Sequence, residues 1–405
     1  MGSRASTARA SGTADSRHDP RLDTPDPNVR VPEPPREVPS PRADALCIES
    51  PLSALDAEFT STPDFFVRNH FPIPQVDLAD WRLRVEGDVE QSLALSYPEF
   101  LALHHEHVDA LMECAGNSRS SVRPRPEGVL WRNGAVGTAS WDGVPLHTVL
   151  ERAGVRPGSV EVMFEGADRG LEPGVDREIG FAMSITLTKA MDPATLLADR
   201  MNGQPLSARH GFPVRAVVPG WYGMASVKWL TRIVVLRHPF QGHFRARAYA
   251  YIPEGEAADA AHRPVTSVQV KSLFTWPGEG DVLPSGQHRV RGVAWSGGVA
   301  IDRVEVSSSS MSESPEREIW HPATLFPGET TFVWTHWEYD CDLRRPGFYV
   351  LRVRAIDAQG NAQPMIADWN FNGLGNNPVH AVPVEIRPSP RLGAPRGRSS
   401  ELSEE

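Results

Sequence analysis

Hydrophobic residues recur at every second position in two segments of the first half of the chain. They are Val108, Ala110, Met112 and Cys114 in one segment, and Val160, Val162 and Phe164 in the other. Successive side chains of a strand point to opposite faces, so this period predicts a β-strand in each segment. "FPVRAVVPG" and "TRIVVLR" follow as further predicted strands, and the Asn-Gly pair at 202–203 predicts a tight hairpin turn.

Helical spacing appears between these strands. Hydrophobic residues three or four positions apart occur at Leu146, Val149, Leu150 and Ala153, followed by Gly154. This spacing predicts a helix that ends at the glycine. A shorter helix is predicted after Ser96, because Ser96 and Glu99 have the spacing of a capping box. The mixture of helices and strands indicates one α+β domain over residues 49–255.

Strand patterns alone follow the polar, proline- and glycine-containing junction near residue 255. The predicted strands are "SVQVKSLF", "QHRVRGVAW", "AIDRVEVSSS", "TTFVWTHWEY", "GFYVLRVRAID" and "HAVPVEIRP". Short alternating strands at regular spacing are typical of an immunoglobulin-like β-sandwich, which we predict for residues 262–387. Trp295, Phe332 and Trp334 add large apolar side chains to this domain. They belong either to its core or to a two-fold interface.

The two ends of the chain lack such patterns. Residues 1–48 are rich in proline, arginine, aspartate and serine, and residues 388–405 are polar and of low complexity. Segments of this composition bury too little apolar surface to fold, so both are predicted to be disordered tails. The first segment has no apolar signal-peptide region, and no run of about 18 apolar residues occurs. We therefore expect a cytoplasmic protein without a membrane partner.

Charge and cysteine content exclude several other classes of protein. The net charge of −10 argues against a nucleic-acid partner, because phosphate backbones bind basic surfaces. The three cysteines are far apart and share no C-x-x-C spacing, which argues against a disulfide framework or a cysteine-rich zinc site. No C-x-x-C-H sequence occurs, so no c-type haem is expected.

Cys114 is the first candidate for chemistry, because the small residues Ala115 and Gly116 follow it at the end of a predicted strand. Such a turn lets backbone pack closely around a thiolate, although a single buried cysteine is often only a core residue. Basic side chains that could converge on it are Arg68, His70, Arg119, His210, Arg215 and Lys228. Singly, each suits a solvated or structural charge. Together they would form a cationic cleft for a polyanionic ligand.

Six ordered motifs resemble the molybdenum-cofactor domain of sulfite oxidases. They are "FFVRNHFPIP", "ECAGNSR", "LWRNGAVGTASWDGVPL", "FEGAD", "MNGQPLSARHGFPVRAVVPG" and "ASVKWL". "VKSLFTWPGEGDVLPSGQHRVRGVAWSGG" resembles the start of the dimerisation domain of that family. The resemblance extends from about residue 50 to residue 387. It implies a sulfite-oxidase-type molybdopterin domain followed by a dimerisation domain.

The resemblance also implies a cofactor and the residues that hold it. A molybdenum atom would be bound by one molybdopterin dithiolene, two oxo groups and the thiolate of Cys114. The implied cofactor-binding residues are Phe65, Phe66, Val67, Arg68, Asn69, His70, Asp168, His210, Arg215, Ser226, Val227 and Lys228. The implied substrate pocket consists of Arg68, Arg119, Trp131 and Tyr249.

The activity that this resemblance implies is oxidation of sulfite to sulfate by oxygen-atom transfer. Tyr249 would steady the transferred oxygen and assist proton-coupled reoxidation. Electrons would pass to a separate acceptor such as a cytochrome, since no haem is expected in this chain. The dimerisation domain implies a homodimer.

Two departures from the family pattern leave other functions open. Ser118 replaces the first arginine of a common Cys-Ala-Gly-Asn-Arg-Arg motif. Near the C-terminus, Val379 and Ala381 replace the tryptophan and arginine of a common Asn-Xaa-Trp-His-Arg motif, and that arginine lines the anion pocket in relatives. A sulfane-sulfur dehydrogenase, an oxyanion reductase and a non-catalytic cofactor-binding protein are therefore alternatives to sulfite oxidation.

Overall fold

Strands account for most of the structure, a computed structural model that describes residues 33–42, 44–253, 255, 262–311 and 318–389. The strands of the N-terminal region, taken as the described residues up to 264, are β1 (Arg36–Glu37), β2 (Cys47–Glu49), β3 (Val67–Arg68), β4 (Arg82–Gly87), β5 (Leu93–Ser96), β6 (Glu106–Glu113), β7 (Val136–Pro145), β8 (Glu161–Gly170), β9 (Ile179–Thr186), β10 (Leu196–Met201), β11 (Gln204–Pro205), β12 (Arg215–Val217), β13 (Leu230–Leu236), β14 (Ala250–Tyr251) and β15 (Arg263–Pro264).

The strands of the C-terminal region, which begins at residue 265, are β16 (Lys271–Trp276), β17 (Val282–Pro284), β18 (Gly286–Trp295), β19 (Ile301–Ser310), β20 (His321–Pro322), β21 (Thr324–Phe326), β22 (Thr335–Leu343), β23 (Gly347–Asp357) and β24 (His380–Arg387). The helices are short. The α-helices are α1 (Tyr97–Leu101), α2 (Leu146–Ala153) and α3 (Leu187–Ala190). Single 3₁₀ turns lie at Leu52–Asp56, Arg119–Ser121, Ala208–His210 and Gly223–Ala225, and a π turn lies at Phe244–Ala248.

Three larger sheets and the two-stranded sheet β14-β15 build the N-terminal region. The strand orders of the larger sheets are β1-β2-β3, β11-β10-β7-β6 with β12 also paired to β10, and β5-β4-β13-β8-β9. The pairs in these sheets are antiparallel apart from β4 with β13. Antiparallel neighbours can be joined by tight turns, whereas parallel neighbours need a long crossover that is usually a helix. This explains why the predicted α+β domain is mostly sheet with few helices.

The predicted local elements are largely confirmed. β6 and β8 form where the alternating segments predicted strands, and β10 and β11 form the hairpin at Asn202. Helix α2 buries its hydrophobic face and ends at Gly154, which has a φ of 70°. The capping box of α1 is present, since the Ser96 N–H donates to the Glu99 carboxylate at 2.8 Å.

The predicted N-terminal tail is wrong in its last part. Residues 36–49 contain β1 and β2, and β2 pairs with β3 so that Cys47 lies opposite Arg68. Val38, Ala45 and Cys47 are each buried in the core. These few apolar positions were hidden in a segment whose average composition is that of a disordered chain. The remainder of both predicted tails, residues 1–32 and 390–405, lies outside the described residues.

Two sheets form the C-terminal region, with strand orders β16-β18-β22-β21 and β17-β24-β23-β19-β20. They share one hydrophobic cluster, to which Phe274 and Trp337 belong on one sheet and Val304 and Val353 on the other. The segment "TTFVW" was predicted as strand, but β22 begins only at Thr335. The immunoglobulin-like type stays a prediction.

The core is continuous between the two regions. Leu273, Trp295 and Trp334 of the C-terminal region belong to the same buried cluster as Leu111 and Tyr222 of the N-terminal region. Trp295 and Trp334 are each only 1% exposed, so their alternative assignment to a two-fold interface is wrong. Among the residues that the structure describes, no helix is long and apolar enough to cross a membrane.

Candidate active site

Cys114 lies directly after β6, at the start of a tight turn. Its backbone N–H donates to the carbonyl of Ala135 at 2.9 Å, and its own carbonyl accepts from the N–H of Asn117 at 2.8 Å. The residue is 7% exposed and lines a cavity between the motifs quoted above. A β-carbon on Gly116 would lie 2.7 Å from the Cζ atom of Arg119. The glycine therefore lets the Arg119 guanidinium lie against this turn.

Two opposing effects act on the Cys114 thiol. Burial raises its pKa above the ordinary value, and the nearby charges of Arg119 and Arg68 oppose this rise only in part. The thiolate is the form that binds a metal. The other two cysteines, Cys47 and Cys341, are also free and buried, but the cavity is lined by Cys114 and by neither of them.

Most of the residues predicted to form the site meet at this cavity. Those that line it are Phe65, Phe66, Arg68, Asn69, His70, Cys114, Asp168, His210, Arg215, Ser226, Lys228 and Tyr249. They come from segments separated by up to 184 positions, between Phe65 and Tyr249. The fold therefore brings the quoted motifs together as a single cleft.

One group of lining residues is strongly basic. The buried guanidinium of Arg215 donates to the carbonyl oxygens of His210 and Ser226, both at 3.0 Å. Burial lowers the pKa of Arg215 to about 9. Burial, reinforced by the charge of Arg215, also lowers the pKa of Lys228 well below its ordinary value. Buried cations are costly unless an anion compensates them, so this group suits a phosphate-like ligand.

Asp168 and Asn69 add buried polar atoms that face no partner. Asp168 Oδ1 and Asn69 Nδ2 make no hydrogen bond among the described residues. Burial raises the pKa of Asp168 to about 7, against the opposing effect of Lys228. Buried polar groups are nearly always hydrogen-bonded. One unpaired acceptor and one unpaired donor beside two cations therefore fit a ligand that combines a polar heterocycle with a phosphate.

Arg68 and Tyr249 are linked through His70. Arg68 Nη2 donates to His70 Nδ1 at 3.3 Å, and His70 Nε2 lies 2.7 Å from the Tyr249 hydroxyl. Burial, followed by the charge of Arg68, lowers the pKa of His70 well below its ordinary value, so the ring is neutral. A neutral imidazole that accepts at Nδ1 donates from Nε2. The Tyr249 hydroxyl accepts that bond and keeps its own proton for a group in the cavity.

Four predicted residues do not line the cavity. Arg119 covers Gly116 and donates from Nη1 to the carbonyl of Val129 at 3.1 Å. Trp131 is fully buried in the core cluster that also contains Cys114, and its place in the substrate pocket stays a prediction. The remaining two are Val67 and Val227, which are buried and take part in backbone pairing.

Several cavity residues were missed by the sequence analysis. Phe181 stacks on the His70 ring with centroids 4.9 Å apart, and Met112 and Met224 also line the cleft. Glu172 Oε1 lies 3.5 Å from His70 Nδ1. Met112 lies two residues before Cys114 and therefore on the same face of the chain, so its position in the cavity could have been predicted. Phe181 and Glu172 carry no local signal.

Two parts of the C-terminal segment lie close to the Cys114 turn. Ala381 lies exposed on β24, next to His380, whose Nε2 lies 3.1 Å from the Asn133 side chain, and its place in the anion pocket stays a prediction. Residues 370–376 contact the turn directly: the Gly375 N–H donates to the carbonyl of Ala115 at 2.8 Å. The Asn376 side chain donates to the carbonyl of Ser118 at 2.9 Å. The segment "NFNGLGN" brings no charged side chain.

Two family models match the chain. The oxidoreductase molybdopterin-binding domain matches residues 70–244, and the Mo-co oxidoreductase dimerisation domain matches residues 262–387. The cavity with its single thiolate and its basic side chains lies in the first of these matches, apart from Phe65 to Asn69 and Tyr249. Fold and site together define a molybdopterin-dependent oxidoreductase.

Curated relatives show to which family within this class the chain belongs. Mitochondrial sulfite oxidase of Rattus norvegicus is 35% identical over 352 residues, which cover 82% of this chain and 62% of that protein. Sulfite oxidase of Gallus gallus is 35% identical over 82% of this chain and 74% of that protein. The chain belongs to the sulfite oxidase family. It spans about 62% of the length of the rat relative.

A solved structure shows the same fold. The sulfane dehydrogenase SoxCD of Paracoccus pantotrophus superposes with a TM-score of 0.72 and covers 92% of both chains. The two sequences are 24% identical, so this likeness concerns the fold alone.

Proposed function

We propose that the chain oxidises sulfite to sulfate and passes the two electrons to an external acceptor. The observation that carries the proposal is the cleft in which Cys114, Arg68 and Tyr249 meet beside the basic group of Arg215 and Lys228. The similarity to proteins named sulfite oxidase over 82% of the chain supports the choice of substrate. In balanced form, sulfite and water give sulfate, two protons and two electrons.

The residues present fit a molybdenum–molybdopterin cofactor. Cys114 would supply the thiolate ligand, Arg215 and Lys228 would compensate the phosphate, and Asp168 and Asn69 would pair with the polar edge of the pterin. Bound there, the cofactor would supply oxygen-atom transfer and accept two electrons. The residues of the chain would hold and orient this group.

Substrate recognition in this proposal rests on arginine. Arg68 lines the cavity, and Arg119 lies against the Cys114 turn across Gly116. Arg68 can donate to a sulfite oxygen and so orient the sulfur lone pair towards the reacting centre, while the charge of Arg119 adds to the positive potential at the Cys114 turn. The Tyr249 hydroxyl, with its proton free towards the cavity, would hold the transferred oxygen by a hydrogen bond. Its pKa is raised by burial, so it acts as a neutral donor.

The assembly and the electron acceptor are further parts of the proposal. We infer a homodimer, because a dimerisation-domain model matches residues 262–387. The acceptor would be a separate one-electron carrier such as a cytochrome. Sedimentation at micromolar concentration should give twice the chain mass of 44.5 kDa, and a monomer would contradict the inference.

A second function, dehydrogenation of a sulfane sulfur, is favoured by one observation. The segment 370–376, which covers the Cys114 turn, is electrically neutral and so adds no cation to the anion pocket. A pocket that lacks one of its positively charged side chains binds a small dianion less tightly. Such a pocket suits a larger sulfur group that carries less charge. An oxyanion reductase and a cofactor-binding protein without turnover remain as outcomes of the test below.

Steady-state kinetics of the molybdenum-loaded protein distinguish these functions. The substrates are sulfite and a peptide that carries a cysteine persulfide, and the acceptors are ferricyanide and cytochrome c. We expect turnover with sulfite and a Michaelis constant that rises about tenfold or more in Arg68→Gln, since a charge-assisted hydrogen bond contributes about 1.5–3 kcal/mol. Turnover with the persulfide alone would replace sulfite oxidation by sulfane dehydrogenation.

A further inference from the structure

Glu113, the residue immediately before Cys114, is a buried carboxylate held by the C-terminal region. It is 1% exposed, and its Oε1 lies 3.1 Å from Nζ of Lys271, which is 2% exposed. Lys271 is the first residue of β16. The ion pair therefore joins the end of the strand that presents Cys114 to the first long strand of the C-terminal region.

Both ends of the pair have further partners that complete their hydrogen bonding. The indole N–H of Trp295 donates to Glu113 Oε2 at 2.9 Å. Lys271 Nζ also donates to the carbonyl of Asn376 at 3.0 Å, within the segment that packs on the Cys114 turn. Buried ion pairs are favourable only when such additional bonds are made. This pair meets that condition.

The same carboxylate also closes the turn that follows Cys114. Asn117 Nδ2 donates to Glu113 Oε1 at 3.0 Å, and Asn117 Oδ1 accepts from the N–H of Ala135 at 3.1 Å. The Asn117 N–H donates to the carbonyl of Cys114. Neighbouring residues of a strand point to opposite faces, so Glu113 faces away from the cavity that Cys114 faces. The residues before and after Cys114 are thus held by hydrogen bonds on the side of the chain that faces away from the cavity.

We propose that the C-terminal region positions the metal-binding thiolate of Cys114 through the Glu113–Lys271 ion pair. Glu113 and Lys271 are positioning residues, since neither lines the cavity. The inference rests on the proposed role of Cys114 as a ligand. It gives the C-terminal region a role in the chemistry of the site that is separate from any role in dimerisation.

The test compares four proteins. Lys271→Met removes one charge and leaves Glu113 buried without its partner, whereas Glu113→Gln combined with Lys271→Met removes both charges and should recover much of the stability. Asp56→Asn is the control, because Asp56 makes another ion pair between the two regions, with Arg291 at 3.2 Å, and contacts no residue of the Cys114 turn. The parent protein is the reference.

The first readout needs no bound cofactor. In cofactor-free protein, the rate at which iodoacetamide alkylates Cys114 should change at least severalfold in Lys271→Met and in the double variant, and should stay at the parent value in Asp56→Asn. Tryptic mass mapping separates Cys114 from the buried Cys47 and Cys341. Equal alkylation in all four proteins would overturn the proposal, whatever the substrate of the enzyme is.

The second readout uses the loaded protein. We expect both Lys271 variants to shift the sulfur-to-molybdenum charge-transfer absorption and to lose about 10- to 100-fold in kcat, with little change in KM, as removal of groups that orient a metal ligand commonly does. A double variant that regains parental stability together with parental absorption and kcat would show that the ion pair is purely structural and would overturn the proposal. The proposal would also be overturned if Asp56→Asn showed the same change in absorption and the same loss of kcat. Absence of sulfite turnover in the loaded parent protein would instead contradict the proposed function.

Discussion

Asp168 provides a prediction whose size follows from its burial. The carboxyl group lies in the cofactor cavity with Oδ1 unpartnered among the described residues, and burial raises its pKa from 3.8 to about 7. Between those two pH values the unfolded chain loses its proton while the folded protein retains it. Because the folded state then binds more protons, the free energy of unfolding falls as the pH rises through this window.

The magnitude comes from the gap between 3.8 and about 7. At about 1.36 kcal/mol for each pH unit, ionisation of Asp168 lowers the stability of the cofactor-free protein by about 4 kcal/mol at pH 8. At pH 5 the same relation gives only about 1.5 kcal/mol, because most of the window lies above that pH. Asp168→Asn cannot ionise, so it should gain stability over the parent mainly at high pH.

Urea unfolding of cofactor-free parent and Asp168→Asn at pH 5 and pH 8 tests this directly. The stability difference between the two proteins should grow by about 2.5 kcal/mol between these pH values. Asp176→Asn, at an exposed position a few residues further on, is the control and should show no such growth. A difference that is the same at both pH values would refute the reasoning. The same Asp168→Asn variant should bind the cofactor more weakly, because the amide lacks the charge of the carboxylate.

Three further predictions concern the substrate side of the site. Gly116→Ala should raise KM for sulfite while leaving the melting temperature nearly unchanged, because the new β-carbon lies 2.7 Å from the flexible end of Arg119; Gly286→Ala, with nothing within 4 Å, is the control for steady-state kinetics. Ala381→Arg should lower KM for sulfite, because it adds an arginine beside His380, which contacts the Asn133 side chain at 3.1 Å, and an unchanged KM would place this position away from the anion pocket. Tyr249→Phe should lower kcat by removing the hydroxyl beside His70, measured with ferricyanide, while KM for the acceptor stays constant.

The sequence predicted the local elements well where a short-range signal exists. The capping box of Ser96 and Glu99, the glycine that ends α2 and the Asn202 hairpin are each specified within a few residues. The predicted end of the N-terminal tail was wrong because no short-range signal marks it. β1 and β2 are held by pairing with β3 and by burial of Val38 and Cys47, and neither is visible in a segment average.

Site residues could be predicted from the sequence only where they lie within a recognisable motif. The residues around Cys114 and Arg215 were found because they lie within recognisable motifs. Glu172 was missed because it approaches His70 only through the folding of the loop after β8.

The central claim is that Cys114 binds molybdenum in this cleft. X-ray absorption at the molybdenum edge, recorded for the loaded parent and for Cys114→Ser, measures this most directly. We predict that the variant retains molybdenum and its dithiolene, loses one Mo–S scatterer and loses sulfite turnover. An unchanged number of Mo–S scatterers in Cys114→Ser would contradict the account.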